Sequence, residues 1–347
     1  MNNVSSMSSM AVTAEERISR AALTYLTEPG DSVVGAIAMC ADGVQTLEAI
    51  KSGSLAGITG LPETPDRKRA LDRLRKRLGK VPRRDEILRA MEDASRLRLV
   101  CRGDAEWPEG LDGLGDAAPV ALWVTGAADL RFSCLRSVAV TGCRAATAYG
   151  SYLASELSAS LAGRGWTVVS GTSFGVDAAA HRGARGADGI TIAVTAGGLD
   201  VPYPAAHEQL LAAIAARGAV VSEAPPGTLV SRLRFQTRNR IIAALASGTV
   251  IVEAGECSGA LTVARHARDL ERPVMAVPGP VTSDLSAGCN HLIRSGHAAL
   301  VTSAADVIET LTAAGSQAAL ARPSGHQPNS SPRAVIVLGL LPYLRSA

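Results

Sequence analysis

Short apolar runs alternate with helical repeats through most of the chain after residue 137. Residues 138–140 form one such run. After a glycine turn, Leu153, Leu157 and Leu161 follow at four-residue spacing, which places them on one helical face. Residues 166–169 form the next apolar run. Strand, helix and strand therefore recur within about 40 residues, as in a βαβ unit.

The same alternation continues and predicts a fold of the α/β class, with a mostly parallel sheet covered by helices on both faces. An edge strand at residues 121–124 is predicted to begin the larger domain. Further strands are predicted at residues 190–194, 219–221, 249–252, 274–277 and 300–301. Helices are predicted at residues 149–164, 176–185, 205–217, 240–247, 261–270 and 304–311.

The flanking segments suggest four regions. Residues 1–13, mostly Ser, Asn and Met, are predicted to be a disordered leader, and the helical periodicity of residues 14–105 predicts a small helical domain. Residues 106–313 form the predicted α/β core. Residues 314–347 are predicted to be a flexible linker and tail, because the first part of this segment is rich in Ser, Pro, Gly and Gln.

Charge is nearly balanced overall but not locally. The 347 residues carry a net charge of +3, whereas residues 67–102 hold 14 Lys or Arg against 5 Asp or Glu, a local charge of +9. Such a cluster attracts polyanions, but a solvated helix face has the same composition, and both interpretations stay open. The 6 cysteines lie far apart without ligand spacing, so a zinc site is not indicated. Without a signal-like or membrane-spanning apolar run, the predicted location is the cytoplasm, with reduced thiols.

The turn after residues 138–140 is the first candidate for chemistry. Gly142 allows close backbone approach, the helix that follows directs unpaired amides outward, and Arg144 adds a planar set of donors suited to phosphate oxygens. The spacing matches neither the dinucleotide fingerprint nor the phosphate-loop motif, so neither a nicotinamide nor an ATP site is indicated. A tight turn with a surface arginine is the alternative.

Glycine and polar residues recur at the other predicted strand ends, which in an open parallel sheet meet at one crevice. The segment 232–240 is expected to enter this crevice. It surrounds Phe235 with Arg232, Arg234, Arg238 and Arg240. Cations for phosphates and a ring for base stacking are what single-stranded DNA binding requires. A core position for Phe235 is the alternative.

An ordered series of motifs resembles the DNA processing protein A (DprA, also called Smf) family. The motifs are TGCR, SGTSFGVDAAAH, TIAVTAGGLDVPYP, FQTRNRII, VEAGECSGALTVA, AVPG and SAGCNHLI, between residues 107 and 301. The resemblance implies a Rossmann-like, doubly wound core that binds and protects single-stranded DNA and helps to load RecA recombinase in natural transformation, as a homodimer. It also implies a small helical N-terminal domain of the sterile-alpha-motif or helix-hairpin-helix kind.

The resemblance assigns DNA contacts to matching positions of this chain. These are Gly142, Arg144, Ser170, Gly171, Phe235, Arg238, Asn239 and Arg240, with Arg232 or Arg234 where family members often carry lysine. Two departures stand out. Cys143 replaces the usual serine and loses a hydroxyl donor, and residues 314–347 contain no counterpart of the winged-helix domain of many members.

Two acidic residues raise the question of catalysis. Asp177 and His181 could form an acid/base pair, but a helix-capping, core-facing pair is favoured because no nucleophile or metal partner can be assigned. Glu253 lies at a strand end, yet the P-G-G-x-G-T-x-x-E loop of the related LOG phosphoribohydrolases is missing. Glu253 is therefore expected to support the pocket by accepting hydrogen bonds from backbone amides or an arginine.

Asp177, Ser258 and Gly259 are further supporting residues. We predict a DNA-binding protein without catalytic residues, cofactor, metal or membrane contact. The alternative is a Rossmann-like nucleotide-binding or nucleotide-cleaving protein.

Overall fold

The computed structural model describes residues 12–92 and 97–321. Five helices come first: α1 (Ala14–Leu26), α2 (Ser32–Cys40), α3 (Gly43–Ser52), α4 (Pro65–Arg77) and α5 (Arg84–Glu92). Polar caps fix the starts of several of them, since Thr13, Asp31 and Asp42 each accept a hydrogen bond from an amide of the following turn. Thr13, predicted within the leader, is thus the cap of α1, and residues 1–11 lie outside the described residues.

One nine-stranded sheet follows. Its strands are β1 (Leu97–Cys101), β2 (Ala121–Thr125), β3 (Ser137–Thr141), β4 (Thr167–Gly171), β5 (Thr191–Val194), β6 (Ala219–Ser222), β7 (Thr249–Ile251), β8 (Val274–Ala276) and β9 (Ala299–Leu300). Their order is β1-β2-β6-β5-β4-β3-β7-β8-β9. Strand β2 runs antiparallel to both neighbours, and every other pair is parallel. The mostly parallel α/β sheet predicted from the sequence is confirmed.

In the described part of the chain, eight α-helices cover the sheet: α6 (Leu130–Leu135), α7 (Ala148–Gly163), α8 (Val176–Gly186), α9 (Glu208–Ala215), α10 (Arg232–Leu245), α11 (Ala260–Asp269), α12 (Ala287–Arg294) and α13 (Ala304–Ala321). Helix α10 begins eight residues before the helix predicted at 240–247, so the arginine-rich segment is helical. Helix α13 extends through residues 314–321 of the predicted linker. The rest of the predicted tail lies outside the described residues. No helix in the described part of the chain is long and apolar enough to span a bilayer.

The first two strands differ from expectation. Strand β1 lies where helices were predicted, and it forms an edge of the sheet in place of β2. Strand β2 is an interior strand because β1 pairs with it on one side and β6 on the other. Its Trp123 is fully buried and donates from Nε1 to Thr24 Oγ1 at 3.1 Å. A five-residue strand carries too short a pattern to be separated from a helix by periodicity. The sheet edge is decided by tertiary pairing.

The strand order reverses direction at β3. Strands β4, β5 and β6 are added on one side of it, and β7, β8 and β9 on the other. Helix α10 makes the crossover from β6 to β7. Ligands of open α/β sheets bind at such a switch point, beyond the carboxyl ends of the strands.

Candidate nucleic-acid interface

A groove of about 880 Å³ opens at the carboxyl ends of β3 and β7. The first half of α10 forms its opposite wall. The lining includes Gly142, Cys143 and Arg144 after β3, Asp177 of α8, Ser258 and Gly259 before α11, and Arg232, Phe235, Arg238 and Asn239 of α10. The structure thus brings into one groove most of the residues that the sequence analysis proposed for DNA contact and pocket support.

Phe235 lines this groove, and the guanidinium groups of two arginines lie close to its ring. The Cζ atom of Arg144 is 4.7 Å from the ring centroid, and that of Arg238 is 5.7 Å away. Tyr203 packs against the same ring, edge to face, at 5.6 Å between centroids. The ring is only half-buried, so it belongs to the groove wall and not to the core.

Arg144 and Arg232 supply exposed positive charge to the groove. Both side chains belong to exposed residues, and neither forms an ion pair with any described carboxylate. The turn that carries Arg144 requires glycine at 142, because a Cβ atom there would lie 2.6 Å from Val176 Cγ2 and 2.7 Å from the Glu253 carbonyl oxygen. Close backbone packing therefore fixes where Arg144 leaves the sheet.

Arg238 is the buried counterpart of these two arginines. Only 6% of the residue is exposed, Nη1 donates to the carbonyl oxygen of Val194, and Nε has no hydrogen-bond partner among the residues that the structure describes. Burial lowers the pKa of Arg238 to about 10, Asp177 opposes this shift, and Arg144 adds to it. The guanidinium is still charged at neutral pH, and a buried charge with an unused donor favours an incoming anion or acceptor.

Gly171 makes room for Arg238 without reaching the groove. A Cβ atom on Gly171 would lie 2.3 Å from Arg238 Nη1 and 2.5 Å from Asp177 Oδ2. Its neighbour Ser170 is fully buried and donates to the carbonyl oxygen of Val140 at 2.6 Å. Neither residue lines the groove. This corrects the expectation that Ser170 and Gly171 approach a DNA backbone: they belong to β4 and support the floor of the groove.

Asp177 and His181 are both held in the interior. The Asp177 carboxylate accepts from Thr141 Oγ1 at 2.8 Å and from the Ser173 amide at 3.2 Å. The His181 ring lies 2.7 Å from Thr191 Oγ1 and 2.8 Å from the Gly171 carbonyl oxygen. Burial lowers the pKa of His181 to about 4, so the ring is neutral at physiological pH. Both side chains face the core, but the start of α8 has no hydrogen bond from a capping side chain among the described residues, so the structure does not show the capping part of the interpretation.

Glu253 is also committed to structural contacts. It is 3% exposed and accepts from the Thr147 amide at 2.9 Å and from Thr147 Oγ1 at 2.6 Å, which ties β7 to the start of α7. Cys143 Sγ lies 3.7 Å from the same carboxylate, and burial together with this negative charge raises the pKa of the thiol to about 11. No arginine among the described residues bonds to Glu253, so the amide is the partner that the structure provides.

The remaining two arginines of α10 face away from the groove. Arg240 Nη2 lies 2.8 Å from both carboxylate oxygens of Glu223, and the Arg240 side chain is 5% exposed. Arg234 Nε donates to Glu28 Oε2 at 3.0 Å. This corrects the expectation that all the arginines of segment 232–240 enter one crevice. Successive residues of a helix point in different directions, and the segment is helical from Arg232 onward.

Tyr203 is a groove residue that the sequence analysis did not name as part of the site. Tyr203 lies within the VPYP segment after β5, beside Phe235. An aromatic between two prolines at a strand end was the available signal.

Other candidate sites have fewer charged or metal-binding side chains among the described residues. A second cavity of about 630 Å³ beside α9 has Glu208 as the single charged residue of its described lining. Within residues 12–92 and 97–321, no three His, Cys, Asp or Glu side chains are grouped to hold a metal ion.

Comparison with known proteins extends this description. Residues 98–312 match the family model of DNA recombination-mediator protein A. The chain is 42% identical over 297 residues to a putative DNA processing protein DprA of Mycobacterium tuberculosis, which covers 83% of this chain and 73% of the relative. Its identity to DNA processing protein DprA of Streptococcus pneumoniae is 40% over 203 residues, or 58% of this chain and 70% of that one.

Solved structures show the same similarity. The X-ray structure of the S. pneumoniae protein superposes with a TM-score of 0.69 at 31% identity, covering 86% of this chain and 98% of that one. That of DNA processing protein A from Helicobacter pylori, described for its single-stranded DNA binding mode, gives a TM-score of 0.56 at 28% identity, covering 62% and 96%.

Proposed function

Because this chain belongs to the DNA processing protein A (DprA) family, we propose that the groove around Phe235 binds single-stranded DNA. The observation that carries the proposal is a half-buried aromatic ring in the groove whose centroid lies 4.7 Å from Arg144 Cζ and 5.7 Å from Arg238 Cζ. A ring of this kind stacks on any base, and the cations contact phosphates without reading sequence.

The function that we propose for the whole protein is to protect single-stranded DNA and to help load RecA recombinase during natural transformation. We propose that it acts in the cytoplasm and as a homodimer. Family membership supports these parts of the proposal, and the groove supports the DNA contact on which they depend.

We propose binding without catalysis. The runner-up function is cleavage of a nucleotide, for which Glu253 is the obvious acid or base. What argues against it is that the Glu253 carboxylate is 3% exposed, accepts hydrogen bonds from Thr147, and is not among the described residues that line the groove. Asp177 is similarly occupied by Thr141 and Ser173.

Salt-dependent binding tests the proposal. Fluorescence anisotropy with labelled oligothymidylate and with duplex DNA is expected to show preference for the single strand and a steep loss of affinity with salt. For Arg144→Ala we expect weaker binding and a slope in log K against log salt that is smaller by about 0.7, the value for one phosphate contact on single strands.

The matched control is Arg182→Ala, which removes an exposed charge from α8 outside the groove. Equal behaviour of Arg144→Ala and Arg182→Ala, or a flat salt response of the unmodified protein, would contradict the proposal. Release of a free base from nucleoside monophosphates that is abolished by Glu253→Gln would favour the runner-up.

A further inference from the structure

The N-terminal helical region carries a second basic surface whose role the groove does not explain. Residues 67–84 contain 10 Lys or Arg and a single acidic residue, Asp72. Helix α4 spans most of this stretch. Its inward side chains, Ala70, Leu71 and Leu74, are buried against the other helices, so the charged side chains occupy its outer face.

Part of this outer face is an unneutralised stripe. Arg73 and Lys76 are exposed, and Lys80, in the turn that extends the helix, continues the same line. None of the three has a hydrogen-bond or ion-pair partner among the described residues. By contrast, Lys68 and Arg69 near the start of α4 pair with Glu63 and Asp66. Arg84, the first residue of α5, pairs with Glu15.

The helix dipole does not account for the whole surface. Cations in the last turn of a helix are favourable, which explains Arg75, Lys76 and Arg77. Arg73 lies one turn earlier and Lys80 lies after the helix, yet both add to the same charge. Neighbouring like charges repel, so the stripe gains most from a polyanion that follows it.

A chain of ion pairs connects the carboxyl end of α4 to the face of α10 that points away from the groove. Arg77, at the end of α4, lies 3.8 Å from Glu28, and Glu28 lies 2.9 Å from Arg234 in the first turn of α10. The same turn contributes Arg232 and Phe235 to the groove. The carboxyl end of α4 is therefore beside the wall of the groove, and the 13-residue helix extends from there over about 20 Å.

We propose that the outer face of α4, represented by Arg73, Lys76 and Lys80, binds the phosphate backbone of the DNA strand that leaves the groove. The surface lengthens the binding site without reading sequence. This inference rests on the proposed function, because it presupposes DNA in the groove.

Oligonucleotide length separates the two surfaces. An oligothymidylate of about 6 nucleotides is short enough to occupy the groove alone, and one of about 30 also reaches α4. For the triple variant Arg73→Ala/Lys76→Ala/Lys80→Ala we expect about tenfold weaker binding of the long oligonucleotide, a salt slope smaller by about 2, and binding of the short one within about twofold of the unmodified protein. Alanine at these exposed positions preserves the helix.

Two controls complete the experiment. Arg182→Ala/Arg185→Ala/Arg268→Ala removes the same charge from exposed positions near the ends of α8 and α11, and Arg73→Lys/Lys76→Arg/Lys80→Arg keeps the charge on α4. Both are expected to bind the long oligonucleotide like the unmodified protein. Unchanged binding by the α4 triple variant, or a loss equal on both oligonucleotides or equal to that of the α8/α11 variant, overturns the inference. If the unmodified protein binds neither oligonucleotide, the proposed function itself fails.

Discussion

The two faces of α10 carry the same residue type in opposite situations. On the groove face, and within residues 12–92 and 97–321, Arg232 has no carboxylate partner and Arg238 keeps one donor unused. On the other face, Arg240 is bound by both oxygens of Glu223, and Arg234 by Glu28. The difference shows that a count of arginines does not measure binding capacity. What matters is whether a carboxylate of the same chain already occupies each guanidinium.

Occupied arginines hold the molecule together. Glu223 accepts from the backbone amide of Gly30 at 3.0 Å in addition to its two contacts with Arg240, and Arg240 Nε donates to the carbonyl oxygen of Ala117 at 2.9 Å. The face of α10 that carries Arg234 and Arg240, here called the closed face, therefore joins the helical region to the sheet. The face that carries Arg232, Phe235 and Arg238, the open face, lines the groove.

The largest effect is expected on the closed face. Arg240→Ala leaves Glu223 buried without its partner, because the two side chains are only 5% and 11% exposed. Removal of one member of a buried pair costs about 3–5 kcal/mol of unfolding free energy. Urea denaturation followed by circular dichroism measures this loss.

Arg232→Ala is the matched control for Arg240→Ala. It removes an exposed arginine from the same helix and is expected to change the free energy of unfolding by at most about 0.5 kcal/mol. A loss below about 1 kcal/mol in Arg240→Ala would show that the closed face does not support the fold.

Local sequence pattern accounts for more of the fold than of the site. The parallel strands from β3 onward follow short apolar runs bounded by glycine, and that information is local. The direction of Arg240 depends on Glu223, and that of Arg234 on Glu28, which is 206 residues away. Ser170 is a second case in which sequence pattern does not predict side-chain direction. Its motif lies at a strand end, but its hydroxyl donates to the carbonyl oxygen of Val140 in β3. Only tertiary contacts separate the occupied from the available groups.

The Phe235 ring tests whether the open face of α10 binds DNA. Phe235→Ala is expected to weaken single-stranded DNA binding by about 1–3 kcal/mol, because one stacked base is lost. Stability should change less than for a core phenylalanine, since the ring is half-buried in the groove wall. Equilibrium anisotropy and urea denaturation on the same samples measure both quantities.

Phe132→Ala provides the control for Phe235→Ala, because Phe132 is a 70% exposed ring on α6, outside the groove lining. Its DNA affinity is expected to match that of the unmodified protein. If Phe235→Ala binds DNA normally but its free energy of unfolding is lower by several kcal/mol, the ring belongs to the core. The open face of α10 would then not be a DNA-binding surface.

The smallest change in stability and DNA affinity is expected for Arg234→Ala. This variant is therefore the most sensitive test of the difference between the two faces of α10. Arg234 and its partner Glu28 have side chains that are 23% and 46% exposed, so their pairing contributes about 0–1 kcal/mol to stability. Its guanidinium is bonded to Glu28 and to the Leu229 carbonyl oxygen, outside the groove lining, so DNA affinity is expected to stay within about twofold. Arg232→Ala, two residues away on the same helix, removes an exposed groove cation and is expected to lower the salt slope by about 0.7. Equal losses of DNA affinity in the two variants would mean that charge density alone, and not the occupancy of each arginine, decides what α10 can bind.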